Sequence, residues 1–501
     1  MHKKSDPFLK LKTLSKEIAI LTSIHNVLEW DQETYMPEDA LESRSSQIEL
    51  LAALIHKKRT SSSLKNELNK VVNLETGELK DKNISEENRA SIREWRRDLL
   101  INSKLPSSFV KQFAKTTSES VAFWTEAKKK SDFKLFAPYL EQIVSLSQKK
   151  ANLLGYKEHP YDALLDLYEP GLTTAFLTPL FKELKEALTD ILKKIKNKKT
   201  TTFNGTFSKD LQMQAGHLLL KNMGFSEKTS RLDISSHPFC SGIHIQDTRM
   251  TTRIDLNDPI SSLLSILHEG GHGLYNKNLR QDWYGTPVCD HASYGIDESQ
   301  SRFWETLIGK SLPFWTFFYP KLQAIFPENL SKISLEDFYN TINQVQPSFI
   351  RVEADEVTYC LHVILRFEIE KGLMDGTIKV KDVPAIWAAK MQESLSITPS
   401  NDSEGCLQDI HWAMGGIGYF PTYALGNLLA AELFSLMENR HPDWQQKVSV
   451  GNLSFLEDFL KENVHKYGKI YLPNELIEKI TGKPLNPEKY IKYLQKKYSP
   501  Q

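Results

Sequence analysis

In the stretch Asn257-Asp258-Pro259-Ile260-Ser261-Ser262-Leu263-Leu264-Ser265-Ile266-Leu267-His268-Glu269-Gly270-Gly271-His272-Gly273, a helix start runs directly into a metal-binding pattern. Asn257-Asp258 offers an N-cap, Pro259 suits the first helical position, and Leu263, Leu264, Ile266 and Leu267 supply an apolar face, so a helix begins near residue 259. His268 and His272 then form H-E-x-x-H. Side chains four apart on a helix share a face with Cβ atoms about 5–6 Å apart, so two imidazoles converge on one tetrahedral ion. Glu269 projects about 100° round the helix, toward a water on the metal rather than the metal itself. Gly270, Gly271 and Gly273 each cost roughly 1 kcal/mol relative to Ala in a helix interior. Something must approach that backbone closely.

A catalytic zinc needs a third protein ligand and an open position. Asp290, His291, Asp297, Glu298 and Glu305 follow within a few turns. A second helix is expected from about Ile296, with Asp297 or a neighbour capping it and Trp304, Leu307 and Ile308 toward the core. Glu298, 26 residues beyond His272, suits a ligand delivered by that helix. Glu305, seven residues on and on the same face, is its rival. Asp290 or Asp297 would accept from an imidazole N–H and so fix its tautomer.

Outward from this region most of the chain reads at helical period. Leu11, Leu14, Ile18, Leu21 and Leu28 recur at intervals of three, four and seven, and Leu180, Phe181, Leu184, Leu188, Ile191, Leu192 and Ile195 do so more fully, with Thr178 placed to cap and Pro179 in the first turn. Lysines 182, 185, 193, 194, 196, 198 and 199 alternate with that stripe and with Glu183 and Glu186, which makes them a solvated face rather than a nucleic-acid patch. Phe239–Ile254, rich in β-branched residues, predicts two or three short strands, a small sheet inside an otherwise helical protein. Loops are expected at 75–83 and 198–206, neither long enough to link domains, so 1–501 reads as one unit.

Composition narrows the class. The 501 residues are 40% apolar and 25% charged, with 63 basic and 63 acidic side chains, so a substantial core is affordable and there is no bulk charge to draw nucleic acid or anionic lipid. Cys240, Cys289, Cys360 and Cys406 form no CxxC, which suits a reducing cytosol. The polar start Met1-His-Lys-Lys-Ser-Asp-Pro7 lacks a signal-peptide core, and no apolar run approaches 18 residues. A cytoplasmic, non-membrane protein is expected.

With Leu28-Glu29-Trp30-Asp31-Gln32, Met36-Pro37, His237-Pro238-Phe239, Asp247-Thr-Arg249-Met-Thr251, the His268–His272 motif, Glu298-Ser299-Gln300, Ile350-Arg351 with Ala354-Asp355, and Gly405-Cys-Leu-Gln408-Asp409-Ile-His411-Trp412, the chain resembles the carboxypeptidase Taq family of metallocarboxypeptidases, peptidase family M32, over nearly its whole length. The resemblance implies a mainly α, helical gluzincin-type metallopeptidase fold in which a deep groove separates two halves. It also implies one zinc ion, for which cobalt sometimes substitutes, held by His268, His272 and Glu298; a homodimer; and removal of C-terminal residues one at a time, with broad tolerance, from peptides with a free C-terminus. One departure is Asp297-Glu298-Ser299 where the family commonly has His-Glu-Ser.

For hydrolysis, Glu269 would take the proton of the attacking water and pass it to the leaving amine. Donors to the oxyanion are sought in His411 and in Gly418-Tyr419-Phe420-Pro421-Thr422-Tyr423, an arrangement similar to that of related helical gluzincin oligopeptidases; Tyr423 comes first, and Phe420 reads as core. A free carboxylate calls for a guanidinium, with Arg351, Arg249 and Arg253 as options. Arg351 also suits an i, i+4 ion pair with Asp355 on a helix after Pro347. Arg249 would line the groove and limit peptide length. His237 either donates to substrate or is a structural loop histidine. Gln408, Asp409 or His411 would stand behind the zinc site, or Asp409 would cap a helix. An oligopeptidase cutting internally, and a non-catalytic peptide scaffold, are the rival functions.

Overall fold

The structure is a computed structural model that describes residues 7–196 and 198–498; the polar start read at Met1–Asp6 lies outside the described residues. Helices dominate. The first two, Pro7–Thr34 and Leu41–Arg59, pack on each other as a hairpin. They keep much of their apolar surface outward: Ile20 and Ile24 on one, Leu50 and Leu54 on the other, are exposed. A small core of Leu11, Leu64, Leu68, Val72, Ile92, Trp95 and Leu99 sits beneath them, whereas one continuous core runs from Ala127 to Leu494. Each Leu or Phe fully buried there contributes about 1.5–3 kcal/mol.

The periodic stripe at 180–195 forms the helix Thr174–Lys194, burying Leu180, Phe181, Leu184, Leu188 and Ile191. Its start differs from the expectation. Thr173 is the cap, accepting from the Phe176 N–H at 3.3 Å, and Pro179 falls inside the helix. The apolar pattern extends upstream through Leu177, and that burial outweighs the backbone hydrogen bond a proline forgoes in the second turn.

The sheet has three strands: β1 (Ser230–Ile234), β2 (Cys240–His244) and β3 (Asp247–Thr252), in the order β1-β3-β2. β1 pairs parallel to β3 with Ser230 opposite Thr248, and β2 pairs antiparallel with Cys240 opposite Met250. β1 lies upstream of the predicted segment, since its Ser-Arg-Leu-Asp-Ile alternates too briefly to be told from a loop. Asn276 ties the sheet to the motif-bearing helix by donating to the His244 carbonyl at 3.0 Å and to Thr248 Oγ1 at 2.8 Å.

That motif helix spans Pro259–Asn278, and Asp258 caps it by accepting from the Ile260 and Ser261 N–H groups at 3.0 and 3.2 Å. Against it packs the acid helix, Tyr294–Arg302, which continues as a π-helical stretch, Phe303–Ile308, a widening common at functional sites. Ser293, not Asp297, caps the acid helix, accepting from Ile296 N–H at 3.2 Å. Behind it the buried carboxylate of Glu169 accepts from Ser293 Oγ at 2.7 Å and Gly295 N–H at 2.9 Å, where the helix dipole favours an anion. A cover helix, Pro421–Arg440, closes the other side of the acid helix. The helix Tyr359–Asp375 is buried on nearly all sides and carries two charged residues, Arg366 and Glu370, with no exposed surface. Trp304, Leu307 and Ile308 face the core as expected.

Candidate functional site

His268 and His272 project from one face of the motif helix with ring centroids 5.0 Å apart. The acid helix brings Glu298 to them. Its Oε2 lies 3.6 Å from His268 Nε2 and 3.7 Å from His272 Nε2, and the three ligand atoms all fall within 4.8 Å of one another. Ligands about 2.0–2.2 Å from a tetrahedral ion stand about 3.3–3.6 Å apart, so the spacing fits a single cation. Glu298 Oε1 is buried without a hydrogen-bond partner, while Ser301 Oγ donates to Oε2 at 3.2 Å. A buried carboxylate oxygen left unpaired is costly, and a cation at this point would satisfy it.

Both imidazoles are aimed by carboxylates. His268 Nδ1 lies 2.8 Å from Glu305 Oε2, and His272 Nδ1 lies 2.9 Å from Asp297 Oδ2. A proton on each Nδ1, hydrogen-bonded to Glu305 at His268 and drawn by the Asp297 charge at His272, would leave both Nε2 lone pairs free to meet at a cation. Glu305, the rival for third ligand, therefore stands behind His268, where Arg302 also holds it at 2.6 Å. Asp297 is shared between His272 and His291 Nδ1, the latter 3.1 Å away. Of the two acids expected behind an imidazole, Asp297 takes that place and Asp290 does not: it pairs with Lys469 and accepts from the His291 N–H at 2.8 Å. Burial pulls the His272 imidazolium down, but Asp297, Glu269 and Glu298 push it up to about 10, and His268 is likewise raised by Glu298 and Glu305 against burial. This acid-rich surround favours positive charge between the rings, whether two protons or one divalent cation. Glu305→Gln is expected to weaken metal affinity by about 10–100-fold, read by competition with a chromogenic chelator.

Glu269 is buried beside the triad, and burial raises its pKa above the ordinary carboxylate range while the two histidines draw it back. The predicted close approach at the glycines is real and has three different partners. A Cβ on Gly271 would stand 2.5 Å from the Gln300 carbonyl oxygen and 2.6 Å from Ser301 Cα, so the acid helix crosses backbone to backbone. Gly270 meets the end of the Met223 side chain, with Leu220 behind it, and Gly273 meets Phe225. On the cover helix Gly426, unremarked in the sequence, admits Glu298, whose Cγ would lie 2.4 Å from a Cβ there.

One turn before Gly426, Tyr423 lies with its hydroxyl 3.1 Å from His411 Nε2. Burial pushes the Tyr423 phenol up to about 12 and the His411 imidazole down to about 4, so at neutral pH one is a protonated donor and the other an uncharged ring. Tyr419 packs among Tyr168, Tyr294, His411 and Tyr423 with centroids 5.2–5.5 Å apart. Phe420 is buried, as its core reading requires.

Arg351 departs from the sequence expectation. It opens a short 3-10 turn, Arg351–Glu353, and does not pair with Asp355, whose carboxylate instead accepts from the N–H groups of Gln346, Val357 and Thr358. Its Nη2 and Nε bond Asp409 Oδ1 at 2.7 and 3.1 Å, and its Nη1 donates to Tyr359 at 3.1 Å. Arg366 takes the other oxygen of Asp409 through Nε at 2.7 Å. Asp409 thus neither caps a helix nor reaches the histidine ligands. Two guanidiniums share one carboxylate, leaving one positive charge in excess in a buried cluster. Gln408 accepts from the Arg351 N–H and from Arg366 Nη2 at 2.8 and 2.7 Å. Arg366 was missed because no spacing rule links it to Asp409, 43 residues on.

The remaining candidates lie around the sheet. Arg249, on β3, is held by Asp247 at 2.8 and 2.9 Å, with its guanidinium 4.5 Å from the Trp30 ring centre, so the Leu28–Gln32 and Asp247–Thr251 motifs meet there. His237 is exposed in the β1–β2 loop, where its carbonyl accepts from Ser235 Oγ at 2.6 Å. Arg253 is exposed past the end of β3.

The sequence profile of carboxypeptidase Taq (M32) metallopeptidases matches residues 10–498. The chain is 40% identical over 490 residues to carboxypeptidase 1 of Bacillus subtilis, covering 97% of each, and 39% identical over 479 residues to thermostable carboxypeptidase 1 of Pyrococcus furiosus, covering 94% of each. Among solved structures it superposes on Trypanosoma cruzi metallocarboxypeptidase 1 with a TM-score of 0.93 at 31% identity, covering 99% of both chains. Family and fold agree along the whole length: the chain belongs to the carboxypeptidase Taq (M32) metallopeptidases.

Proposed function

We propose that this chain is a zinc-dependent metallocarboxypeptidase that shortens peptides from a free C-terminus, one residue at a time and with broad side-chain tolerance. The observation that carries the reading is the convergence of His268 Nε2, His272 Nε2 and Glu298 Oε2 beside a buried Glu269. Zinc, or cobalt in its place, would supply a Lewis acid there and lower the pKa of a bound water toward about 7. Glu269 accepts the proton of the attacking water and returns it to the departing amine. Tyr423 and His411 donate to the carbonyl oxygen as negative charge builds on it.

The choice of the C-terminal end rests on Arg351. The excess positive charge of the Arg351–Asp409–Arg366 cluster is complementary to a second carboxylate, and a guanidinium binds one through two parallel hydrogen bonds. Tyr419, Arg249 and His237 are assigned to the groove wall, with Arg249, stiffened by Asp247, limiting the length of peptide admitted. The continuous core supports one domain, and four unpaired cysteines suit the cytoplasm. We assign the chain a homodimer as well, which would cover the exposed Ile20, Ile24, Leu50 and Leu54; a monomer mass in sedimentation velocity would count against it.

Mass spectrometry of a peptide and its C-terminal amide, each with and without chelator, tests the reading. The free acid is expected to shorten stepwise, and the amide to be cut at least about 30-fold more slowly, corresponding to about 2 kcal/mol of charge-assisted hydrogen bonding. Chelator is expected to abolish both. Equal rates on acid and amide would favour internal cutting instead.

A further inference from the structure

We propose that Glu370 is the positioning residue that holds His411 and Tyr423 at the substrate carbonyl, an inference that rests on those two side chains being the carbonyl donors. Glu370 lies on the Tyr359–Asp375 helix and is fully buried. Three donors converge on its carboxylate: Trp412 Nε1 bonds Oε1 at 2.7 Å, Gly418 N–H bonds Oε2 at 3.0 Å, and the Tyr161 hydroxyl also donates to Oε2. An apolar residue would be cheaper at such a position unless the carboxylate does something that packing cannot.

The partners of Glu370 show what that is. Trp412 directly follows His411, and Gly418 directly precedes Tyr419. The segment between them contains no helix, and Gly415 and Gly418 adopt φ of +75° and +99°, in the left-handed region that glycine tolerates. The segment's internal backbone bonds, from Gly416 N–H to the His411 carbonyl at 2.7 Å, Gly415 N–H to Trp412 at 3.0 Å and Tyr419 N–H to Gly416 at 3.3 Å, close each half separately, and none joins Trp412 to Gly418. Glu370 supplies that link by tying both ends to one carboxylate. The same helix grips the segment once more upstream, through Arg366 and Asp409 at 2.7 Å. Tyr161 adds a strut: it precedes the helix Asp162–Tyr168, and Gly418 sits so close to Leu164 of that helix that a Cβ would meet the Leu164 backbone at 3.0 Å. At the far end of that helix Tyr168 touches Tyr419. Of the imidazole and the phenol that meet at 3.1 Å, His411 is thus placed by a contact one residue away, at Trp412, and Tyr423, five residues beyond Gly418, through the Tyr419–Phe420 turn whose carbonyls accept from the Thr422 and Tyr423 N–H groups at 3.1 and 3.2 Å.

Kinetics of the zinc-loaded enzyme on one free-acid peptide, for Glu370→Gln, Tyr423→Phe and the double variant, test this. Glu370→Gln keeps the shape but faces one of its donors with an amide N–H. It is expected to lower kcat by about ten- to a hundredfold, with KM within about twofold and one zinc per chain retained. In the Tyr423→Phe background the same change is expected to cost clearly less than it does alone, because one of the two groups it positions is already gone and only His411 remains. An unchanged kcat in Glu370→Gln, or full additivity in the double variant, would overturn the proposal. If Tyr423→Phe itself turns over at the parental rate, the donor assignment fails and takes this inference with it; if Tyr423→Phe is slow while Glu370→Gln is not, positioning alone is refuted. Should Glu370→Gln yield no folded holoenzyme, Trp412→Phe, which deletes a single donor, is expected to show the same kcat loss without a KM change, and parental kcat there would refute the assignment.

Discussion

Glu269→Gln is expected to lower kcat by about 10³–10⁴-fold while leaving one metal ion per chain and the thermal midpoint close to that of the parent. The amide occupies the same buried volume and is not one of the three ligands, so neither packing nor the metal site loses an atom. What disappears is, among the described residues, the carboxylate beside the triad that is neither a proposed ligand nor engaged with His268 or His272: Glu298 belongs to the triad, and Glu305 and Asp297 face His268 and His272. The pH profile supplies an independent check. Burial raises the Glu269 pKa, and a base works only when ionised, so parental kcat/KM is expected to fall as pH drops through that raised value. Residual activity of the variant is expected to lack that acid limb. A variant that retained both rate and limb would remove Glu269 from the chemistry.

Gly271→Ala is expected to be strongly destabilising, although alanine is the better helix former by about 1 kcal/mol. Its Cβ would meet the Gln300 carbonyl oxygen at 2.5 Å and Ser301 Cα at 2.6 Å, and neither backbone atom can rotate away. Relief requires the motif and acid helices to separate, and overpacking of this kind costs roughly 1–3 kcal/mol, more than the propensity gain. Because Glu298 rides on the displaced helix, metal affinity is expected to fall together with the thermal midpoint. Gly270→Ala is the control. Its Cβ meets the flexible end of Met223 at 2.6–2.9 Å and Leu220 Cδ2 at 3.4 Å, side-chain atoms that can shift where backbone cannot, so the metal is expected to stay and the midpoint to move less than for Gly271→Ala. Equal behaviour of the two variants would show that the helix crossing does not set the site.

Some of this was legible along the chain because the signals are local. A cap, a proline at the first helical position and an apolar stripe are properties of neighbouring residues, and the start at Pro259 was read from them correctly. The same logic misplaced the start of the Thr174–Lys194 helix, where Pro179 is a persuasive first-turn signal until the burial of Leu177 and Thr174 upstream is known. The Arg351–Asp355 pair failed for a related reason: it presumed a regular helix where the chain makes one 3-10 turn, and a partner 58 residues away won the guanidinium.

Helical class and the pairing of His268 with His272 follow from the sequence alone, because 3.6 residues per turn place residues four apart on one face whatever surrounds them. The need for a close neighbour at Gly271 was also written there, as a local cost with no local return. The identity of that neighbour was not. That Glu298 completes the triad while Glu305 steadies His268, that Asp409 lies between two arginines, and that Gly426 makes room for Glu298 were decided only by how separate helices cross. Periodicity fixes the direction of a side chain about its own axis, but the distance between two axes is set by every side chain packed between them.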